Sequence, residues 1–278
     1  MSDFFCQVFF QGLLEAFPIS SSMHLRIFNV NNIEIMHLGT GIAFLFYAFQ
    51  TLKTYIKKPF CKKSIFFFFK ILIIILPTVL IGFYIKKQPL LVPSDSVNLI
   101  CALTMLCVNL SLPMEKEFKQ LSVKQLFFIA FIVPLSLLPG ASRFGITFTA
   151  FRLFKLNLHE SFLFSIILGI PITIGAALLN VYTQTITTKL LLASLIAGII
   201  TYFTLKITHK ALKYWNFFSV YRIIFSFIHF FLTPIQKKAL LSKIFLIIAF
   251  FFESPETSKN KNSTIEKHKK QSKKVKKD

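Results

Sequence analysis

Long apolar runs recur along this chain of 278 residues, and they constrain its fold more than any other feature. A hydrophobic helix needs about 20 residues to cross the hydrocarbon core of a bilayer. Because 54% of the residues are hydrophobic and a barrel would show short alternating strands, the pattern predicts an all-α, polytopic integral membrane protein. We place the apolar segments at about 36–52, 64–85, 98–113, 125–150, 161–181, 189–206, 217–233 and 240–252, with a shorter one at 3–17.

The distribution of Lys predicts how these segments are oriented. Residues 53–63 carry five Lys and residues 182–188 carry none, and positively charged loops stay in the cytoplasm. The alternation places residues 18–35 on the external side. It also makes 125–150 a re-entrant hairpin whose tip points outward. Since the net charge of +21 is not concentrated on a soluble domain, nucleic acid is not an expected partner.

The C-terminal part of the chain differs in composition from the rest. Residues 259–278 hold nine Lys against Glu266 and Asp278. We predict that 254–278 is a basic, disordered tail, preceded by an extra apolar segment at 234–253. The tail either tethers the protein to anionic lipid or is a solvated end without a function, and we favour the second interpretation.

The stretch "LLPGASRFGIT", residues 137–147, interrupts an apolar run with Pro139 and Gly140. Proline and glycine break helices, and broken backbone at membrane depth is tolerated only where protein or water covers it. We expect the N–H groups of Gly140, Ala141 and Ser142 to be free in this turn. Free N–H groups at the start of a helix bind anions.

Arg143 follows this turn and adds a planar guanidinium that suits phosphate. Ser142 and Thr147 add hydroxyl groups nearby. The alternative is a simple kink with an arginine that reaches toward the membrane surface. We favour a functional interpretation, because the chain has four Arg against 28 Lys and an arginine within a membrane is usually functional.

The stretch "QGLLEAFPISSSMHL", residues 11–25, is the second unusual segment. Gln11 and Glu15 lie four residues apart, so a helix presents them on one face. Oxygen ligands at that spacing suit a hard divalent cation such as Mg²⁺ or Ca²⁺, with water and substrate phosphate completing the shell. The alternative is an acid that faces a water-filled cavity and has no function.

Hydroxyl groups and an imidazole follow Glu15 directly. Pro18 ends the helix, and the serines at 20–22 either cap the next helix or supply a nucleophile. His24 is a candidate acid or base. A lone histidine would more often be structural, but its position beside Glu15 and the serines favours a chemical role.

Together these two stretches resemble the undecaprenyl-diphosphatase family, the bacitracin-resistance type of membrane phosphatase. The family's first motif has Glu or Gln, three residues, Glu, and then a P-x-S-S-S/T-G-H-like run. Its second motif is P-G-x-S-R-S-G-x-T, which stands here as "PGASRFGIT". Weaker similarities follow at 160–176 and in the "YR" at 221–222, so the resemblance covers about residues 5–230 in order.

The resemblance implies an enzyme that hydrolyses undecaprenyl diphosphate to undecaprenyl phosphate and inorganic phosphate. Family members act on the outer face of the bacterial inner membrane, where they recycle the lipid carrier for cell-wall glycans. By position, Gln11 and Glu15 match the residues thought to hold the divalent cation. Ser21 and His24 match the catalytic serine and histidine, and the sequence leaves open which of them attacks phosphorus. Arg143 matches the arginine that binds phosphate.

The same resemblance implies a substrate-binding role for the hydroxyl groups of Ser142 and Thr147, and the free N–H group expected at Gly140 gives that residue the same role. It also implies inverted repeats, which we place at about 1–113 and 118–233. Together they would form a membrane-embedded catalytic domain, 1–233, with two re-entrant helical hairpins and a site between broken helices. The sequence does not indicate the oligomeric state.

Three positions depart from the family pattern. Met23 stands where Gly is usual, Phe144 where Ser is usual, and Val133 where Gln is frequent. We expect Met23 to strain or repack a tight backbone position, so that Met23→Gly should be tolerated or improve activity. Two alternatives to hydrolysis stay open: a transporter of lipid phosphate or another anion, and a weakened paralogue.

Overall fold

The computed structural model describes residues 2–26, 33–55, 62–87, 94–111, 116–181 and 187–231. Within these ranges the chain forms helices, with one isolated β-bridge between Lys116 and Leu156. The α-helices are α1 (Ser2–Glu15), α2 (Ser21–Arg26), α3 (Ile33–Tyr55), α4 (Lys62–Lys87), α5 (Ser94–Ser111), α6 (Val123–Ile132), α7 (Arg143–Leu153), α8 (Leu158–Val181), α9 (Thr188–Lys210) and α10 (Trp215–Phe231). Short 3-10 helices lie at Phe118–Gln120, Val133–Leu137 and Leu212–Tyr214.

The predicted all-α, multi-pass membrane protein is confirmed. Four helices in the described ranges contain segments long and apolar enough to cross a membrane: Phe68–Ile85, Ser94–Ser111, Leu158–Leu179 and Thr188–Lys210. Large apolar side chains such as Phe128 and Phe131 are exposed, as expected for surfaces that face lipid. The predicted segments at 234–253 and 254–278 lie outside the described residues.

Close contacts between helices bring α1, α3 and α9 together. A Cβ on Gly39 of α3 would lie 1.7 Å from the Ser194 carbonyl oxygen of α9, so only glycine permits this crossing. Gly12 of α1 is equally close to α9, because a Cβ built there would lie 2.6 Å from the Ala197 carbonyl oxygen. The Thr201 hydroxyl donates to the Gly12 carbonyl oxygen at 2.9 Å. These contacts place the end of α1 beside the start of α3.

Two interrupted segments position the site. We call α1, residues 16–20 and α2 the first hairpin, and α6, Val133–Leu137, residues 138–142 and α7 the second hairpin. The predicted helix break at Pro139 and Gly140 is confirmed, since the helical structure stops before Pro139 and α7 begins afterwards. Gly140 has a φ of 90°, and a Cβ there would lie 2.1 Å from the Ser94 carbonyl oxygen. The turn therefore requires glycine.

Residues Met1–Phe231 form one compact unit. The proposed boundary at 233 and the two repeats, 1–113 and 118–233, stay predictions.

Candidate active site

The carboxylate of Glu15, the last residue of α1, is the centre of the site. It is buried, with a relative exposure of 7%. Its Oε2 accepts a hydrogen bond from the Ser21 hydroxyl at 2.7 Å and another from Gln11 Nε2 at 3.2 Å. Gln11 and Glu15 do share one helix face, as their spacing predicts. The first hairpin thus joins a carboxylate to the hydroxyl of a candidate nucleophile.

The other carboxylate oxygen of Glu15 faces groups from outside the first hairpin. Arg143 Nη1, at the start of α7, lies 3.5 Å from Glu15 Oε1. His37 Nδ1, on α3, lies 3.7 Å from the same oxygen. A guanidinium beside the carboxylate compensates much of the cost of burying its charge. Glu15 is therefore the point where both hairpins and α3 meet.

The two hairpins present Ser21 and Arg143 in the same way. Each is the first residue of a helix that follows a broken turn. The residue before each is a serine in the left-handed region, Ser20 with φ 63° and Ser142 with φ 64°. Ser142 also caps α7, because its hydroxyl accepts from Gly145 N–H at 3.2 Å. Ser20 and Ser142 therefore occupy equivalent positions in the two hairpins.

A cavity of about 280 Å³ opens between the hairpins. Arg143 Nη1 and the Ser136 hydroxyl are buried at this cavity without a hydrogen-bond partner. Such groups favour an incoming anion that accepts their hydrogen bonds. The polar lining comes from Glu15, Ser20, Ser21, Ser22, His37, Ser136, Ser142 and Arg143.

The structure does not bring His24 to this cavity. The side chain is fully buried, and its Nδ1 lies 2.9 Å from the Ser20 carbonyl oxygen. Because a carbonyl only accepts, Nδ1 carries the proton, and Nε2 of the neutral ring accepts from the Tyr221 hydroxyl at 2.8 Å. The ring stacks on Phe225 with centroids 4.1 Å apart. His24 therefore holds the turn before Ser21.

His37 is the histidine at the cavity, and the sequence analysis missed it. Its Nδ1 lies 3.1 Å from Gln11 Nε2 in addition to its contact with Glu15. The sequence did contain one indication of its role, since His37 is an ionisable residue near the predicted external end of the apolar segment 36–52. The sequence could not show that this face of α3 would turn toward Glu15.

The hydroxyl of Thr147 also points away from the cavity. It donates to the carbonyl oxygens of Arg143 at 2.9 Å and Phe144 at 3.1 Å, within its own helix. Of the three N–H groups predicted to be free, that of Ala141 donates to the Leu138 carbonyl oxygen at 3.1 Å. The Ala141 N–H and the Thr147 hydroxyl are therefore already engaged within the protein.

The three departures from the family pattern are all buried. Met23 lies in α2 with a helical backbone and is buried, so it shows no backbone strain, while the repacking around it and the tolerance of Met23→Gly stay predictions. Phe144 packs against Phe162 and Trp215, with ring centroids 5.4 and 5.8 Å away. Val133 is fully buried at the start of its 3-10 helix. Each departure fills core volume.

The donors beside Glu15 fit a divalent cation that takes further ligands from its substrate. Gln11 Oε1 is buried without a hydrogen-bond partner, next to the carboxylate. Within the described ranges, no cluster of three or more His, Cys, Asp and Glu side chains is placed to hold a metal ion. Oxygen ligands suit Mg²⁺, so Gln11 Oε1 and the Glu15 carboxylate are the donors that a cation here would use, and the cation itself stays a prediction.

The fold and the site define a polytopic membrane protein with a polar cavity, built where two broken hairpins meet on one carboxylate. The chain belongs to the family described as bacitracin resistance protein BacA, whose model matches residues 7–228.

Curated relatives agree with this assignment. An undecaprenyl-diphosphatase from Pelagibacter ubique is 31% identical over 243 residues, covering 79% of this chain and 93% of the relative. One from Thermosipho africanus is 27% identical over 240 residues, covering 80% and 96%. One from Methanococcus vannielii is 28% identical over 203 residues, covering 67% and 81%.

Proposed function

We propose that this protein hydrolyses undecaprenyl diphosphate to undecaprenyl phosphate and inorganic phosphate. The observation that carries the proposal is the 2.7 Å hydrogen bond from the Ser21 hydroxyl to Glu15, in a cavity that also contains Arg143. A serine bonded to a buried base is the arrangement of an activated nucleophile. The family and the activity named for its curated relatives support this substrate.

Substrate binding uses the second hairpin. The terminal phosphate accepts hydrogen bonds from Arg143 Nη1 and from the Ser136 hydroxyl. Neither atom has a hydrogen-bond partner in the protein, although Nη1 is ion-paired with Glu15 at 3.5 Å. A planar guanidinium can make two parallel bonds to phosphate oxygens. The polyprenyl chain extends into the surrounding lipid, because the outer helix surfaces are apolar.

The first chemical step uses the first hairpin. Ser21 Oγ attacks the terminal phosphorus while its proton passes to Glu15. The bond from phosphorus to the bridging oxygen breaks, and undecaprenyl phosphate leaves with that oxygen. Arg143 stabilises the charge that spreads over the equatorial oxygens during transfer.

The second step regenerates the serine. Glu15 passes its proton to the neighbouring imidazole of His37 and then accepts a proton from the attacking water. Water adds to the phosphorus of phosphoserine, and the bond from phosphorus to the Ser21 oxygen breaks. Ser21 Oγ takes the proton from Glu15, His37 releases its proton to solvent, and inorganic phosphate departs. His24 positions the turn and does not attack phosphorus, because both of its ring nitrogens are engaged.

A divalent cation, Mg²⁺ or Ca²⁺, would be held by Gln11 and Glu15. When bound, it would neutralise part of the diphosphate charge. The buried, unpartnered Gln11 Oε1 supports this assignment.

The reaction would recycle the lipid carrier for cell-wall glycans at the bacterial inner membrane. The Lys-rich loop at 53–63 and the uncharged loop at 182–188 support a cavity that faces the external side. The substrate would then be the diphosphate left in the outer leaflet after glycan transfer.

Phosphate release from polyprenyl diphosphate by the purified protein tests the proposal. We expect release that falls in excess chelator and is lost in Ser21→Ala. The transporter alternative needs no nucleophile, so the Ser21–Glu15 hydrogen bond favours hydrolysis. A folded protein that moves lipid phosphate across liposomes but releases no inorganic phosphate would overturn the proposal.

A further inference from the structure

A second arginine lies within the membrane-embedded unit, and it touches both broken turns. Arg222 of α10 has a relative exposure of 1%. Its Nη2 donates to the carbonyl oxygens of Gly140 and Ala141, each at 3.0 Å, in the second hairpin. Its Nη1 donates to the Pro18 carbonyl oxygen of the first hairpin at 3.4 Å. One planar guanidinium therefore spans both turns.

The residue before it, Tyr221, makes a second link to the first hairpin. Its hydroxyl donates to Nε2 of His24, whose Nδ1 donates to the Ser20 carbonyl oxygen. Ser20 directly precedes Ser21 in the chain. We call Tyr221 and Arg222 the α10 pair.

Asn98 of α5 fixes the arginine in its place. Its Oδ1 accepts from Arg222 Nε at 2.8 Å, and its Nδ2 donates to the Arg222 carbonyl oxygen at 3.2 Å and to the Ser226 hydroxyl at 2.6 Å. The amide thus holds both the guanidinium and the backbone of α10. A side chain held at both ends leaves little freedom to the carbonyl groups that it binds.

The carbonyl oxygens involved belong to backbone that lacks a regular helical pattern. An unsatisfied carbonyl group at membrane depth is strongly destabilising. Binding them through a single rigid fork also fixes the separation of the two turns. Ser21 follows Pro18 by three residues and Arg143 follows Ala141 by two, so the same fork sets how these two side chains meet at Glu15.

We propose that the α10 pair is a positioning device for the phosphatase site, which holds the nucleophile of the first hairpin in register with the phosphate-binding arginine of the second. This inference rests on the proposed function for its kinetic readout. The pair lies behind the turns and acts through Ser20, Gly140 and Ala141. Neither residue lines the cavity.

Arg152 of α7 provides a matched control. It is also 1% exposed, and its Nε donates to an asparagine of α5, Asn109, at 3.1 Å. Its Nη1 donates to the Leu156 carbonyl oxygen at 2.9 Å. It therefore has the burial and the partners of Arg222 but does not bridge the hairpins. A lysine at either position keeps the charge and loses the planar fork.

The first test compares Arg222→Lys with Arg152→Lys, each confirmed as folded by size exclusion and thermal melting. We expect similar losses of melting temperature. Arg222→Lys should lower kcat on the order of a hundredfold, as when a preorganised transition-state contact is lost, while Arg152→Lys changes it by no more than about threefold. If kcat falls equally in both variants, or in neither, Arg222 has only a structural role and the proposal fails.

The second test asks whether Arg222 acts through Arg143. Residues that work as a unit show strongly non-additive effects on kcat. Adding Arg222→Lys to Arg143→Ala should therefore cost little further activity, whereas Arg152→Lys should combine with Arg143→Ala independently. Independent effects for the Arg222 double variant would contradict the proposal.

The third test needs no turnover, so it separates this inference from the proposed function. Binding of inorganic diphosphate to the purified protein is measured by calorimetry. Arg222→Lys should weaken it by about tenfold, the loss expected for one misplaced charged contact, and Arg152→Lys should not. If the wild-type protein binds diphosphate but does not hydrolyse polyprenyl diphosphate, the proposed function is wrong, and the affinities of the two variants still decide the positioning role. An unchanged affinity for diphosphate in Arg222→Lys would overturn the positioning role of the α10 pair.

Tyr221→Phe provides an independent variant if Arg222→Lys does not fold. It removes one hydroxyl and leaves the ring in place against Phe225. We expect kcat to fall by about tenfold, because the link through His24 to the turn before Ser21 is lost. A folded Tyr221→Phe protein with wild-type kcat would contradict a positioning role for the pair.

Discussion

The two hairpins reach the same carboxylate with different chemistry. The first hairpin supplies the carboxylate of Glu15 and the hydroxyl of Ser21, which are already hydrogen-bonded to each other. The second supplies Arg143 and Ser136, whose buried donor groups have no hydrogen-bond partner in the protein. In the proposed mechanism the first hairpin supplies the nucleophile and the base, and the second hairpin binds the anion. The difference indicates that binding and bond breaking can be disrupted separately.

The hairpins are similar in backbone even though they differ in side chains. Each turn ends in a serine with a φ near 63°, and each presents the next residue at the first position of a helix. A left-handed serine is uncommon and requires support from its surroundings. The shared geometry places Ser21 and Arg143 at equivalent points. In the proposed mechanism the side chain at this position is the nucleophile in one hairpin, Ser21, and the phosphate-binding group in the other, Arg143.

The largest effect is expected for Glu15→Gln, which removes the base of the first hairpin. The amide cannot accept the Ser21 proton, so kcat should fall on the order of 10⁴-fold. Phosphate release by purified protein measures this. Glu160→Gln is the matched control, because Glu160 is also a buried carboxylate but accepts from Phe118 N–H, away from the cavity. Equal losses in the two variants would show that the effect is structural.

Arg143→Lys is expected to have the next largest effect, and it tests the second hairpin. Lysine keeps a charge but loses the two parallel bonds to phosphate, which typically costs about 3 kcal/mol in the transition state, or roughly a hundredfold in kcat. KM should rise as well. Steady-state kinetics of the folded variant measures both. Near-wild-type kcat would reduce the arginine to a structural anchor and would favour the transporter alternative.

The two histidines should respond differently to the same substitution. His37→Gln should lower kcat by about tenfold and alter the pH dependence of kcat, because this imidazole contacts Glu15. His24→Gln should lower the melting temperature and, by breaking the link from Tyr221 to the turn, lower kcat by about tenfold, but it should leave the pH dependence of kcat unchanged. Parallel pH–rate profiles and thermal melts separate these outcomes. An altered pH profile in His24→Gln alone would reverse the assignment of the two residues.

Ser136→Ala is expected to have the smallest effect. The substitution removes one hydrogen bond from a hydroxyl to the charged phosphate, which is worth about 1.5 kcal/mol, so KM should rise by roughly tenfold with kcat nearly unchanged. Its buried hydroxyl has no partner in the protein, so stability should not fall. A wild-type KM would mean that phosphate binds at a different part of the cavity.

Much of the site could be predicted because its residues are chemically unusual for their surroundings. Glu15, Ser21 and Arg143 are polar groups beside helix breaks in apolar sequence, and the structure does bring them together. Pro139 and Gly140 marked the second break, because proline cannot continue a helix and glycine adopts a positive φ without strain.

The remaining site residues could not be assigned from sequence, for a physical reason. A helix within a membrane is apolar on every side, so its periodicity does not show which face turns inward. His37 and His24 therefore looked alike in sequence, although one lines the cavity and the other is buried behind the turn. The function of Arg222 likewise depends on carbonyl groups from two distant turns, which carry no sequence signal.

In the proposed mechanism Ser21, activated by Glu15, attacks the phosphate bound by the second hairpin. Rapid quenching of the reaction with terminally labelled polyprenyl diphosphate, followed by peptide mapping under conditions that preserve both phosphoserine and phosphohistidine, tests it most directly. We predict labelled phosphate on Ser21, and none in Ser21→Ala. Label on His24, or full turnover in Ser21→Ala without a covalent intermediate, would contradict the account.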